Sequence, residues 1–414
     1  MPRRKKDSED KSEINSAQSR RASLNDESDE LVFAVCERFF HYMAPKSPAE
    51  KYKRAKKDNE TDQNSGKPKR QPGAAKAVAQ WLNTERNRPD FNRESVYPLL
   101  WTAFQRGFLL LQPPLVKELR DQLVEKYQLT EKLAKDDGDL AIVNVVGKTT
   151  SRHVSSTAAD LVIKLIDRVY ARKVEEAKAR GESSENVRVH LGFGAGYAAM
   201  EVAKRLSNRT EVQTPKLTLH ALTPGGFHIS EQYKDPTTYF AYLAEKGHDV
   251  ECIGFFSPPV IMTEGYKQLR ENPAMKHCFE QRDDIDVLVT SLAAASDPHG
   301  LYGKYFNYLY KNGYVEENVS ETLKKQDWVG DVLFQPYSAK EAIQPETIRS
   351  VALFDFQELV DFAKKPGKYL VLIGGPCGEC GELKTEAIEP LLTEDLDRPW
   401  THLVIDCETA SRLL

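Results

Sequence analysis

The chain has 414 residues, with 58 Lys/Arg against 62 Asp/Glu, a formal net charge of −4 and 40% hydrophobic residues. This length exceeds a usual single core and favours two domains. No apolar run approaches the roughly 18 residues of a membrane span, and the opening stretch MPRRKKDSEDKSE lacks the apolar segment of a signal peptide. Six cysteines spread over this length read as reduced thiols, so the expectation is a cytoplasmic protein with no membrane partner. Charge is uneven. Residues 31–130 hold eighteen Lys/Arg against eleven Asp/Glu, net +7, whereas residues 131–414 are net −10. A basic first third suits contact with a polyanion at one end, although a solvated charged face gives the same imbalance.

Residues 1–28 have almost no large apolar side chains and read as a disordered tail. DELVFAVCERFFHYM (29–43) has apolar residues at helical spacing behind an Asp, which predicts a helix. Residues 46–73, rich in Lys, Asn and Ser, read as a long exposed basic loop. AAKAVAQWLN (74–83) predicts a second helix, with Val78, Trp81 and Leu82 as core contacts. After the turn TERNRPDF a third helix begins near Asn92 and ends at Gly107, with a kink or a later start expected from Pro98. FLLLQPP (108–114) then reads as a strand. Two short helices, a turn and a strand fit a winged helix-turn-helix domain over 29–112. The start of its second helix would present Asn92, Arg93, Ser95 and Tyr97 to a major groove, with Arg88 near phosphates. An exposed Arg and a half-buried Tyr without a partner are the plainer alternative.

Residues 114–135 predict an amphipathic helix in a linker spanning 113–138. From 139 to 414, short apolar strands alternate with helical segments, which predicts a doubly wound, mainly parallel α/β domain. In such sheets ligands bind beyond the C-terminal strand ends. Three glycine-bearing turns fall at those ends: Gly192, Gly194 and Gly196, then Gly225 and Gly226, then Gly374 and Gly375. Glycine lets backbone approach an anion whose charge suits a helix N-terminus. Alone, one such turn reads as strand-to-helix packing; three at one sheet edge favour a pocket for a phosphorylated or polyhydroxy ligand. The first lacks the spacing of a dinucleotide fingerprint. GKTT (147–150) lacks the upstream glycine of a phosphate-binding loop and reads as a turn. CGEC, containing Cys377 and Cys380, has the spacing of a zinc or dithiol half-site, but without a second Cys pair it reads as a loop with two thiols. No cofactor, metal or catalytic residue is expected.

The succession of helix-turn-helix, linker helix, LGFGAGYAAMEVAKRL, TPGGF, SPPVIMTEGYKQLRENPAMKHCFE, IDVLVTSLA, GYVEENVSETLKKQDWVGDV, YLVLIGGP and HLVIDCETASRLL resembles the SorC family of bacterial sugar-responsive transcription regulators, from about residue 74 to the end. The resemblance implies an effector domain folded like sugar-phosphate isomerases, a bound sugar phosphate or carbohydrate, operator DNA as partner, and a homodimer or homotetramer. It implies an effector-binding set of Gly194, Ala195, Gly196, Tyr197 and Ala198, with Gly225, Gly226, Phe227, Gly374 and Gly375, and Asp331 of VGDV near the sugar hydroxyls. Three positions depart from the family pattern. Tyr197 and Ala198 stand where a basic residue and Thr are common, Ser291-Leu292-Ala293 replaces a G-x-G, and the lysine after the last glycine pair is delayed to Lys384. The expected function is a regulator and not an enzyme. An isomerase-like enzyme, with Asp331 and His228 as its acid-base candidates, and an interaction protein that has lost its ligands are the alternatives.

Overall fold

The computed structural model describes residues 27–43, 73–89, 91–105, 109, 112–129, 140–208, 215–227, 231–245, 249–316, 318–344 and 346–414. The expected tail before residue 27, all of the basic loop but Gly73, and residues 108, 110 and 111 of the expected strand at 108–114 lie outside these residues; the described part of that segment, 109 and 112–114, is not strand. The chain divides into two compact units, Met1–Leu111 and Gln112–Leu414.

In the first unit, helices α1 (Asp29–Met43), α2 (Ala74–Glu85) and α3 (Arg93–Gln105) share one core built from Val32, Val35, Val78, Leu82, Val96 and Leu99. The helical spacing of apolar residues, read from each segment, is the stripe that is buried. The N-terminus of α3 is closed by Asn92, whose Oδ1 accepts from the backbone N–H groups of Glu94 and Ser95 at 2.9 and 3.0 Å. Pro98 lies inside this helix and does not delay its start. The carbonyl that loses its partner belongs to Glu94, an exposed residue that water can reach.

In the second unit, α4 (Lys117–Lys126) is shorter than the predicted helix at 114–135. It ends where Tyr127 caps it and Gln128 takes a positive φ of 50°. Leu123 anchors it in the main core, and Lys126 Nζ and Tyr127 Oη donate to the Leu413 carbonyl at 2.6 and 2.9 Å. This segment, expected to be a linker, is therefore docked on its own unit.

The elements that follow are β1 (Val143–Val146), α5 (Ser151–Ala179), β2 (Arg188–Phe193), α6 (Tyr197–Ser207), β3 (Lys216–Ala221), α7 (Pro236–Glu245), β4 (Val250–Ile253), β5 (Val260–Met262), α8 (Tyr266–Glu271), α9 (Pro273–Gln281) and β6 (Val287–Ala294). After them come α10 (Leu301–Lys311), α11 (Val319–Lys324), β7 (Gly330–Val332), β8 (Gln335–Tyr337), β9 (Ile348–Ser350), α12 (Phe356–Lys364), β10 (Tyr369–Ile373), α13 (Thr385–Ile388), β11 (His402–Asp406) and α14 (Cys407–Leu413). The main sheet runs β1-β11-β10-β6-β2-β3-β4, and every neighbouring pair on this path is parallel. All residues of β10 and β11 are buried, as strands covered on both faces require. Antiparallel β7 and β8 extend from β6, and β5 pairs antiparallel with β9 apart from the main sheet.

Strand order reverses at β2. The chain proceeds from β2 through β3 to β4, then returns to place β6 on the other side of β2. The crevice beyond β2 and β6 is thus the topological switch point at which α/β sheets bind ligands. No helix among the described residues is long and apolar enough to cross a membrane.

Candidate functional site

A cavity of about 700 Å³ opens at that switch point. Its walls are the Ala195–Ala198 turn after β2, the end of β6 with the loop that follows it, the β7–β8 hairpin, and the loop after β10 that carries Gly375 and Cys377. This volume lies within the range of small-molecule sites.

Asp331 on β7 is the most unusual group in it. Its carboxylate is buried, and Oδ2 has no hydrogen-bond partner. Burial pushes its pKa up to about 7; the Lys384 ammonium and the Phe334 backbone N–H oppose this only in part, and Asp297 adds to it. Lys384 is shifted downward, first by desolvation, while its Nζ donates to the Leu292 carbonyl at 2.6 Å. A carboxylate oxygen without a donor, beside a lysine, suits a ligand rich in hydroxyl groups. The hairpin next to Asp331 turns through Leu333 and Phe334, which have positive φ of 51° and 59° and both line the cavity. Two bulky residues in the left-handed region store backbone strain at this wall.

The glycine turn after β2 is held mostly by the protein itself. Gly196, at a φ of 119°, caps α6, and its N–H donates to the Lys234 carbonyl at 2.9 Å and to Tyr239 Oη at 3.0 Å. The buried Tyr239 hydroxyl in turn donates to the Gly196 and Lys234 carbonyls. Gly194 N–H donates to the Val289 carbonyl at 2.9 Å, and a Cβ there would stand 2.5 Å from Thr290 Oγ1 and 2.6 Å from a Leu333 methyl. Close packing therefore demands glycine at 194 whatever the ligand. Around the cavity Lys204 pairs with Glu201 at 3.4 Å, and Lys234 with Glu231 at 2.8 Å and Glu379 at 3.6 Å. The lining is thus of mixed charge.

The full-length sorbitol operon regulator SorC from Klebsiella pneumoniae matches over 81% of this chain and 97% of its own, with a TM-score of 0.53 at 15% identity. The fold is that of SorC. A DeoR family transcriptional regulator from Listeria monocytogenes is also similar, over 72% of this chain and 98% of that one, with a TM-score of 0.48 and 18% identity. So is a probable sor operon regulator from Shigella flexneri, over 71% and 97%, with a TM-score of 0.49 and 15% identity. No protein-family model and no curated protein matches the sequence.

On this SorC fold, Ala195, Gly196, Tyr197, Ala198, Ser291, Asp331, Gly375 and Lys384 come together on the cavity wall. Gly194, Gly225, Gly226, Phe227 and Gly374 do not line it. Phe227 stacks on Phe334 with ring centroids 3.8 Å apart, Gly226 N–H donates to Asp235 Oδ2, and a Cβ on Gly374 would meet Ile388 and Ile405. These residues support the wall from behind. His228 lies outside the described residues. In the first unit, Arg93 and Tyr97 are exposed on α3, and Trp101 continues the same face at 60% exposure. Arg88 instead forms a two-point ion pair with Glu27, at 2.7 and 3.2 Å, and lies over the Phe91 ring. Asn92 and Ser95 spend their side chains on the helix cap. Sequence reasoning missed Asp297, His299, Lys204, Lys234, Leu333 and Phe334, all on the cavity wall. Asp297 and His299 follow β6 directly, and that position was the available signal.

Proposed function

We propose that this chain is a DNA-binding transcriptional regulator whose second unit binds a carbohydrate or sugar phosphate. The observation that carries the reading is the buried, unpartnered Asp331 oxygen in a cavity at the switch point of a SorC fold. A sugar hydroxyl donating to Asp331 would satisfy that oxygen, and Lys384 would meet an anionic group. Because the Gly194 and Gly196 N–H groups are already used, a phosphate would depend on the free N–H groups of Tyr197 and Ala198 at the start of α6. In the first unit, the face of α3 bearing Arg93, Tyr97 and Trp101 would read the major groove. Assembly would be as a homodimer or homotetramer reading repeated half-sites. The test combines thermal-shift screening of sugars and sugar phosphates with a mobility shift on genomic fragments. A hit whose stabilisation disappears in Lys384→Ala, together with operator binding lost selectively in Arg93→Ala, is expected. Turnover of the hit would favour the enzyme reading, and binding of neither ligand class would favour an interaction protein.

A further inference from the structure

One wall of the cavity carries a group of side chains that sugar binding does not require. Cys377 and Cys380 stand on the loop after β10, and Asp297 and His299 on the loop after β6. One ligand atom from each of the four lies within 4.8 Å of every other. The two loops meet because β6 and β10 are parallel neighbours, Ser291 opposite Ile373, so both chains leave the sheet at the same edge, β6 three residues further on.

We propose that these four residues form a zinc site with Cys377, Cys380, His299 and Asp297 as ligands. Two thiolates with an imidazole select a borderline-soft cation such as Zn²⁺ over Mg²⁺ or Ca²⁺. The separations support it. His299 Nδ1 lies 3.7 Å from Cys377 Sγ and 3.6 Å from Asp297 Oδ1. Ordinary zinc bond lengths of about 2.0–2.3 Å give tetrahedral ligand-to-ligand edges of about 3.3–3.8 Å, so the longest separation would close by at most about 1.5 Å. His299 Nδ1 is therefore the ligating nitrogen. Its Nε2 faces Glu379 Oε2 at 3.4 Å, the carboxylate partner that a zinc-bound histidine ordinarily has. The remaining parts are also held in place. The His299 backbone N–H donates to Asp297 Oδ1 at 2.9 Å. The Cys377 turn is closed by Gly381 N–H to the Cys377 carbonyl at 3.0 Å, and Gly381 has a positive φ of 76°. Cys380 is exposed and gives the ion a path in. A bound ion would pin the loop after β10 to the loop after β6 and so fix one wall of the cavity.

Binding converts both thiols to thiolates and releases two protons per Zn²⁺. The full-length chain, reduced and stripped with EDTA, is titrated with Co²⁺ and then with Zn²⁺. The expected result is one Co²⁺ per chain with the intense visible bands of a tetrahedral site and a sulfur-to-cobalt charge-transfer band, both abolished by one equivalent of Zn²⁺. Release of about two protons per ion should accompany it. Cys377→Ser should lose the charge-transfer intensity in part and affinity by at least tenfold, and Glu379→Gln should weaken binding by about 10–100-fold with the bands retained. Weak octahedral bands in the wild-type chain would overturn the proposal, because that readout needs no variant to fold. Equal Co²⁺ uptake by wild type and by Cys377→Ser, or a Cys377–Cys380 disulfide that re-forms under the titration conditions, would also overturn it. No sugar and no DNA enters this experiment, so its failure leaves the regulator reading standing.

Discussion

Asp331→Asn is expected to change the stability of the second unit in a pH-dependent way, and the size follows from burial. The Asp331 carboxyl titrates at about 7 in the folded chain against an ordinary 3.8. A carboxyl whose folded pKa is raised keeps its proton in the native state after the unfolded chain has lost it. Stability is therefore full below about pH 4 and falls as the pH climbs towards 7. A gap of about 3 pH units corresponds to on the order of 4 kcal/mol, of which about 2.5 kcal/mol is lost between pH 5 and 8. Asparagine mimics the neutral acid without that loss, but its amide brings unpaired donors that cost about 1–3 kcal/mol. The variant should thus lie within about 1 kcal/mol of wild type at pH 5 and be more stable by about 1–3 kcal/mol at pH 8. Equilibrium urea unfolding of the EDTA-treated full chain at pH 5, 6, 7 and 8 measures this by far-ultraviolet circular dichroism, since most of the described helix lies in the second unit. His220, pushed down to about 3 by burial, gives wild type and variant alike the opposite slope below pH 6.5, and that slope cancels in the difference. A stability difference that stays constant from pH 5 to 8 would refute the assignment of a buried, unpartnered carboxylate.

Three further substitutions probe the frame of the cavity. Tyr239→Phe removes the hydroxyl that ties Gly196 to Lys234 and should cost about 1–3 kcal/mol in urea unfolding, with a wild-type melt counting against a turn held from within. Asp286→Ala should cost about 3–5 kcal/mol, because this buried carboxylate accepts from Lys173 Nζ at 2.5 Å and from the His190 backbone N–H at 2.9 Å, and lies 3.7 Å from Lys368. A loss below 1 kcal/mol would make that pair peripheral. Gly194→Ala should cost about 1–3 kcal/mol through contact with Thr290 and Leu333 even in the absence of any ligand, and an unchanged midpoint would count against close packing as the reason for glycine there.

The architecture of the second unit was legible because its signals are local. Strands β10 and β11 read as unbroken apolar runs, which parallel strands buried on both faces must be. Helix α12 carries a complete capping box of Asp355 and Glu358, a local signal that the sequence reading passed over. In the first unit, Val78, Trp81 and Leu82 are buried as their spacing required, while the Oδ1 of the exposed Asn92 serves the helix end. The length of α4 was misjudged because its charged stretch keeps helical propensity past Lys126. The left-handed turn at Gln128 and the docking of Leu123 are tertiary outcomes that propensity does not encode.

The cavity was legible only in outline, and the reason lies in strand order. Glycine turns mark strand ends, so the edge that holds the site could be read from sequence; which glycines face the cavity could not. Gly194, Gly374 and Phe227 are constrained by neighbours brought in by β6, β11 and β8, at sequence distances no local pattern spans. The same holds for the four proposed zinc ligands. Asp297-x-His299 and Cys377-x-x-Cys380 are each half a motif, about eighty residues apart, and each alone is better read as an ordinary loop. Only the insertion of β6 beside β10, after the chain has reversed its direction across the sheet at β2, sets the two halves side by side. A weak pattern becomes a site when the register of two non-consecutive strands makes it one.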